Sequence, residues 1–248
     1  MQYFFGTGSV YGRQTGVNNP TPIRFGAIQD VSVDISFENK ELFGQYQFPL
    51  YVARGPGKIS GKAKFGQLFG AAFNNLFFGE SSLGTQPVLT AIDEVQTVAS
   101  NNVTVTNNGN GTYVEDLGVL NMATGINMSR VAAAPSGTGN YSVNETTGVY
   151  TFNSAMNGVQ VAVSYDYNGA ANSGTLITGV NQLTGSQPQF LMVLAGSLGG
   201  KSMRLKLNAC MSTKLTLATK LSDFMLPEFD FQAFTDATNN WGQFSFSE

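Results

Sequence analysis

The chain has 248 residues, and only 12% of them are charged, about half the share found in an ordinary soluble domain. It has no histidine and a single cysteine, Cys210, which excludes Ser-His-Asp and Cys-His catalysis, His-ligated metal sites and an internal disulfide. The net charge of −3 argues against tight nucleic-acid binding, which needs clustered basic residues. So few charges predict that copies of the chain or other partners cover much of the surface. The missing catalytic groups predict that the protein is not an enzyme.

Membrane and export signals are not expected in this sequence. Its longest apolar run, residues 190–195, is far shorter than the about 20 residues of a membrane span. Residues 1–5 have neither the basic region nor the apolar region that begins a signal peptide. We therefore expect a soluble protein that is made in a reducing cytoplasm and does not insert into a membrane.

The first third of the chain predicts an arm followed by two strands. Residues 1–24 are rich in Gly and Pro and predict an extended N-terminal arm. Apolar and polar residues alternate strictly over 31–37, which predicts a half-buried strand. A second alternating strand is predicted around residues 59–65.

The connection between these strands, about residues 42–58, is longer than an ordinary hairpin loop. It carries four aromatic residues, Phe43, Tyr46, Phe48 and Tyr51. Glycines and prolines in it discourage regular pairing and permit an extended reach. Since exposed aromatics commonly anchor interfaces, the segment is predicted to be an assembly loop. The alternative is an aromatic flap folded onto its own domain.

An apolar stripe with a period of 3.6 residues predicts one substantial helix, at about residues 66–78. Its members are Phe65, Leu68, Phe69, Ala72, Phe73, Leu76 and Phe77. Gly79 stands where a C-terminal cap is expected. The helix is predicted to lie as a lid on a sheet, with Phe69 and Phe73 in the core.

The middle of the chain, residues 101–170, is rich in Asn, Gly, Thr and Ser and contains short alternating runs. These runs are bracketed by turn signals, which predicts hairpins. We interpret the region as a β-rich insertion, or a small subdomain, within a main β-domain built from 25–100 and 171–248.

The last third returns to long alternating runs. Residues 203–217 would exceed about 45 Å as one strand, so they are predicted to bend, bulge or protrude. Cys210 lies in the polar phase of this run and is interpreted as a buried or interface thiol. Further on, Glu228 and Asp230 share a face opposite Phe229 and Phe231. The predicted fold is therefore mainly antiparallel β with one lid helix.

The sequence offers no catalytic constellation, cofactor motif or metal-ligand spacing. Carboxylates are the only catalytic groups left, and a glycosidase could place two of them on a β scaffold. Glu228 and Asp230 could form such a pair, but a polar strand face is the simpler interpretation. Lys62, Lys64, Arg204 and Lys206 form a basic stripe that either meets an acidic neighbour or lies on a solvated face.

The order of these segments resembles the tail tube proteins, or major tail proteins, of tailed bacteriophages. The residues that carry the resemblance lie at 31–44 (VSVDISFENKELFG), 55–64 (GPGKISGKAK), 76–79 (LFFG), 226–231 (LPEFDF) and 242–244 (GQF). A further likeness to hairpins of virion proteins covers 140–167. The resemblance implies an antiparallel β-sandwich or barrel that forms hexameric rings, which stack into a hollow tube for genome ejection.

The same resemblance implies partners and a location. The expected partners are the chain itself, the tape measure protein, the tail terminator and the baseplate, with a sheath if the tail is contractile. DNA is expected only in transit, no cofactor is expected, and the subunit belongs to the virion after assembly in the host cytoplasm. The alternative is a capsid decoration or baseplate binding module.

Within a tube, two sets of residues receive roles. Segment 42–58 is expected to dock on a subunit of the adjacent ring. Glu228 and Asp230 become candidates for the lumen, because acidic faces would let DNA slide without binding.

Overall fold

The computed structural model of the protein describes residues 6, 8–67, 69–80, 83–108, 111–219 and 221–247, with the backbone alone for residue 71. The fold is mainly antiparallel β and contains several sheets. It divides into two compact units. Unit 1 comprises Met1–Ser82 and Ile177–Glu248, and unit 2 comprises Leu83–Leu176.

The elements, in chain order, are β1 (Ser9–Gln14), β2 (Ile23–Arg24), β3 (Ile28–Phe43), β4 (Pro49–Phe65), α1 (Gly70–Phe73), a π-helical turn (Asn74–Phe78), β5 (Val88–Thr97), β6 (Asn102–Thr104), β7 (Tyr113–Asn121), β8 (Ile126–Asn127), β9 (Ser129–Arg130), β10 (Asn140–Asn144), β11 (Val149–Phe152), a 3-10 turn (Ser154–Met156), β12 (Gln160–Asn168), β13 (Gln189–Leu198), β14 (Lys201–Thr216), β15 (Glu228–Phe234) and β16 (Gly242–Phe246).

Unit 1 is built on one eight-stranded sheet in the order β2-β1-β13-β14-β15-β4-β3, with β16 paired to β14 beside β15. One face of this sheet carries the core, in which Phe229 contacts the rings of Phe25, Phe65, Phe77, Phe190 and Phe231. The alternation predicted for 31–37, 59–65 and 228–231 produces this sheet. In the described part of unit 1, the strands form one sheet with a helical segment packed on it.

Strand β14 accommodates its length by bulging, as predicted. Its register against β13 shifts between the partners of Phe190 and Met192, and against β15 it shifts between Ser212 and Lys214. The first shift turns Cys210 to the core, where it is fully buried. The single apolar phase predicted over 203–217 is therefore wrong between the two bulges, at residues 210–212. Each bulge inserts a residue and reverses the faces, so the second bulge returns Leu215 to the core side.

The helical segment is shorter than the predicted helix at 66–78. Gly66 donates its N–H to Ala27 O, so the chain stays attached to the sheet edge and helix α1 begins only at Gly70. Of the apolar stripe, Ala72 and Leu76 are buried, whereas Phe69 is 48% exposed, and the prediction that Phe69 lies in the core is wrong. Leu68 lies outside the described residues.

The π-helical turn follows α1 and ends at Gly79, which adopts the left-handed conformation with φ 62°. The side chain of buried Asn74 donates to Glu80 O and accepts from Glu80 N, so it pairs with the backbone just beyond the turn. Gly79 N–H donates to Asn74 O, five residues back. The predicted cap at Gly79 is therefore confirmed, on a wider turn than the predicted α-helix.

Segment 42–58 is not a loop. Strands β3 and β4 pair from Ile28 and Phe65 out to Phe43 and Pro49, leaving only residues 44–48 to connect them. Pro49 is tolerated because it is the first residue of its strand. The predicted irregular connection is therefore the outer half of one long β-hairpin.

The N-terminal region joins the sheet as well. Within the predicted arm 1–24, strand β1 pairs with β13 along its whole length, and Val10 is fully buried. Residues 1–5 and 7 lie outside the described part of the chain.

Unit 2 is a β-sandwich of two four-stranded sheets, β6-β11-β10-β9 and β5-β12-β7-β8. Both sheets supply its core, which includes Tyr113, Tyr150, Phe152, Val163 and Tyr165. The unit contains the predicted insertion 101–170 and starts earlier, at Leu83. The difference arises because β5 pairs with β12 rather than with the sheet of unit 1.

Candidate assembly surfaces

The outer half of the β3–β4 hairpin is an unsupported ribbon. Strand β15 pairs with β4 only as far as the Ala233–Ile59 pair. Beyond that pair, neither β3 nor β4 has another partner among the described strands. Residues 49–58 of β4 therefore continue for roughly 30 Å as a two-stranded ribbon. Such a ribbon is marginally stable in water unless another surface packs against it.

Exposed apolar side chains cover this ribbon on both faces. Its exposed apolar residues are Phe37, Leu42, Phe43, Tyr46, Phe48, Leu50, Tyr51 and Val52. The most exposed are Tyr46, at 73%, and Phe48, at 81%, both in the 44–48 turn. Monomeric proteins rarely expose so many large apolar side chains close together unless the surface is functional.

All four aromatics predicted for the assembly segment lie on the ribbon. The sequence reasoning missed Leu42, Leu50 and Val52, although 50–52 is apolar without alternation and so leaves no polar face. Arg54 covers one inner ring, with its guanidinium carbon 4.0 Å from the centre of Phe37. That contact covers part of Phe37 at the base of the ribbon, whereas the apolar side chains of the outer part stay exposed.

The polar face of the unit 1 sheet carries the lumen candidates, and they are ion-paired. Lys62 Nζ lies 3.7 Å from Glu228 Oε1 and 3.6 Å from Asp230 Oδ1. Lys64 Nζ lies 3.4 Å from Glu228 Oε2. The basic stripe thus meets an acidic neighbour at two of its four lysine and arginine positions.

This alternation of charge extends across four strands. In register, Asp30 of β3 faces Lys64 of β4, and Lys214 of β14 faces Asp230 of β15. Arg204 and Lys206 lie opposite Ser245 and Gln243 of β16, farther along β14. The face around Glu228 and Asp230 is therefore balanced in charge rather than acidic.

A second apolar surface lies at the end of the sheet opposite to the hairpin turn. The connection between β14 and β15 includes Leu221, 107% exposed, and Phe224, 86% exposed, with Met225 beside them. This connection leads into Glu228, which pairs with Lys64 near the last residue of β4. Residue 49 begins β4, so about 50 Å along that strand separates the connection from the hairpin turn. We call Leu221, Phe224 and Met225 the knob. Sequence reasoning did not single it out, although apolar residues without periodicity between two strands were a signal.

An apolar cavity lies at the base of the ribbon. It has a volume of about 190 Å³ and is lined mainly by Ile35, Phe37, Ile59, Ala233 and Trp241. It forms where β15 ends at Phe234 while β4 continues, so the sheet leaves a gap between the ribbon and the turn before β16. We call this cavity the socket.

The polar core of unit 2 is internally satisfied. The Asp116 side chain, only 3% exposed, accepts hydrogen bonds from the hydroxyls of Tyr141 (2.7 Å) and Tyr150 (3.0 Å). Gly118 N–H donates to the same carboxylate at 3.0 Å. Burial above all raises the pKa of both phenols, so they remain neutral donors. This network stabilises the sandwich, with its donors and acceptors directed at one another.

Glu94 anchors a second network in unit 2. It accepts hydrogen bonds from Tyr165 (2.6 Å), Gln96 (2.8 Å) and Thr106 (2.8 Å from the hydroxyl, 2.9 Å from the N–H). Burial acts to raise the pKa of Glu94, but the hydrogen bonds outweigh it and hold the pKa below its usual value.

The remaining groups are the Cys210 thiol, possible metal ligands and the helical segments. Burial raises the pKa of the Cys210 thiol to about 12, which keeps it protonated and unreactive. Among the described residues, no three His, Cys, Asp or Glu side chains are grouped so that they could hold a metal ion. The described helical segments include none that is long and apolar enough to cross a membrane.

The described surfaces of unit 1 are thus suited to protein contacts. They comprise an apolar ribbon, a knob at the opposite end of the sheet, a socket at the ribbon base and a charge-balanced polar face. Comparison of the sequence with protein-family models gives no match, and comparison with curated proteins gives none.

Proposed function

We propose that this chain is a structural subunit that assembles with copies of itself into stacked rings, forming the hollow tail tube of a bacteriophage. The observation that supports this proposal most is the ribbon of β3 and β4, which exposes eight large apolar side chains. A ribbon of this kind is stabilised when it packs on a neighbouring molecule.

The low charge of the chain supports the same conclusion. With 12% charged residues, a solitary subunit would be poorly solvated. In a ring with neighbours on each side and above and below, much of that surface becomes buried.

The polar face of the unit 1 sheet supports passage of DNA. Lys62 and Lys64 are engaged by Glu228 and Asp230, so they are not available as a cluster of cations for phosphates. A wall of paired charges gives DNA little electrostatic attraction, because tight binding requires release of counterions by unpaired Lys and Arg. On this proposal the face lines the lumen.

Electron microscopy and sedimentation velocity of the purified full chain test the proposal. We expect rings with six-fold symmetry, and tubes at higher protein concentration. Phe48→Asp with Tyr46→Asp on the ribbon turn should abolish tubes, while the matched change of exposed Leu183→Asp should leave them intact. A parent protein that remains monomeric, or forms only trimers, would instead support a decoration or baseplate module.

A further inference from the structure

We propose that the knob of one copy inserts into the socket of the next copy, with Phe224 as the inserted residue. This inference rests on the proposed function, since it specifies which surfaces of two copies meet.

Phe224 has the properties of an anchor residue. It is 86% exposed, and Leu221 beside it is fully exposed, in a connection between two strands rather than in the sheet itself. Exposed Phe and Leu side chains gain free energy when they are fully removed from water. Nothing in the described part of unit 1 covers them, so a second molecule is needed to realise that gain.

The socket has the size and character of a phenyl-ring site. An apolar cavity of about 150 Å³ is large enough to bind benzene, and the socket measures about 190 Å³. Its floor is the buried side chain of Ile59, and Ile35 and Phe37 form an exposed apolar rim. A ring entering it would replace water on an apolar surface and would contact Trp241.

The positions of knob and socket determine the kind of assembly. The knob lies in the connection that follows Thr216, the last residue of β14, which pairs with Glu228 at the start of β15. The socket lies at the other end of β15, toward the β3–β4 hairpin turn. The knob and the socket are different surfaces, so one contact between two copies leaves a free socket on the first copy and a free knob on the second. On this proposal the contact repeats head to tail from copy to copy and builds a stack, rather than closing into a reciprocal pair.

The ribbon and the socket form one continuous surface, since Ile35 and Phe37 belong to β3 and also bound the socket. A copy seated by its knob therefore lies beside the ribbon. The apolar side chains of the ribbon lie on both of its faces, so a seated copy covers those on one face together with the knob. At up to about 150–250 Å² for each aromatic, these side chains supply on the order of 500 Å². A specific interface needs about 1,000 Å² counted over both copies, so these side chains supply a large part of it.

Two variants, each lacking one partner surface, provide the test in the full-length protein. Phe224→Asp removes the knob and Ile35→Lys disrupts the socket rim; both positions are exposed, and thermal melts verify that each variant folds. Phe37→Lys replaces Ile35→Lys if the latter melts early. Each variant alone should fail to stack. An equimolar mixture should form a species of twice the mass of the unstacked unit, because the intact knob of one variant enters the intact socket of the other.

Leu183→Asp, at an exposed apolar position outside both surfaces, should stack like the parent protein. Normal stacking by Phe224→Asp, or a mixture that forms no paired species while the parent stacks, would overturn the knob-and-socket contact and leave self-assembly standing. A parent protein that never associates would overturn both proposals.

Discussion

Asp230 of β15 lies directly opposite Lys62 of β4, and 3.6 Å separates its Oδ1 from the lysine Nζ. The same aspartate is opposite Lys214 on the other neighbouring strand. Asp230 thus lies between Lys62 and Lys214 of the two neighbouring strands, and its negative charge offsets their positive charges on this face.

Reversing that charge should reduce stability modestly. Asp230→Lys places three cations side by side, and we expect it to lower the free energy of unfolding by about 1 kcal/mol, since like charges directly opposite repel across strands. Lys62→Asp in the same chain should restore part of the loss. Urea titration measures both, and Gln232→Lys, two residues along the same face, is the control. Equal losses for Asp230→Lys and Gln232→Lys would show that the position of Asp230 is not special.

The same face predicts how the proposed tube treats DNA. Glu228→Lys combined with Asp230→Lys frees Lys62 and Lys64 and adds two further cations. We expect assembled variant protein to bind duplex DNA at low salt and to release it as salt rises, whereas the parent assembly does not bind. Fluorescence anisotropy of labelled DNA measures this, with Glu228→Gln and Asp230→Asn as the neutral control. DNA binding that is unchanged in the lysine variant would remove this face from the lumen.

Core packing in unit 1 predicts a contrast between two phenylalanines. Phe229 is 1% exposed and contacts five other rings, so Phe229→Ala should cost about 3–5 kcal/mol of unfolding free energy. Phe69 is about half exposed, so Phe69→Ala should lower the free energy of unfolding by no more than about 0.5 kcal/mol. Denaturant unfolding of the two variants tests the ranking, and the reverse order would contradict the described core.

Glu94 predicts acid sensitivity of unit 2. Its pKa in the folded state is lowered from the usual value of 4.5, so ionised Glu94 stabilises the fold above that pH. This contribution should disappear as the pH falls through the lowered folded pKa, where the carboxylate gains a proton and loses its hydrogen bonds. Glu94→Gln should flatten this part of the stability–pH profile. Thermal melts from about pH 2 to about pH 7, a range that spans the usual pKa of Glu, compare the two proteins.

Period-two alternation predicted the central strands from the sequence. The runs at 31–37, 59–65 and 228–231 form adjacent strands whose apolar sides share one core. Such patterns are reliable because a strand with one buried face allows only one phase. The four aromatic residues predicted for segment 42–58 are all exposed. Their role in assembly stays a prediction, which rests on residue type.

Contacts between residues that are far apart in the sequence explain where the structure differs from the predicted elements. The stripe at 65–77 has helical period, but Phe65 and Gly66 are held by sheet hydrogen bonds to Pro227 and Ala27. Gly55, Pro56 and Gly57 suggested a loop, yet pairing with β3 continues from Gly57 to Arg54 across a register shift at Gly55 and Pro56. The boundary at residue 100 missed β5, because its partner β12 lies more than 60 residues later in the chain. None of these pairing partners is close in the sequence, so local patterns do not reveal them. The knob is not revealed by local patterns either, because it is recognised only once the strands on either side of it are known.

The two ends of unit 2 meet in a single β-bridge between Gly84 and Leu176, closed by two hydrogen bonds of 2.9 and 2.8 Å. Entry and exit of the chain are thus a few ångströms apart, so unit 1 is interrupted at one point only. A graft at this position, whether a short Gly-Ser bridge or a foreign domain with adjacent termini, leaves the sheet of unit 1 with the same strand order. The fold therefore offers one position at which a foreign domain should be accepted without interrupting a strand of unit 1. In the proposed tube, such a domain would be repeated once per subunit.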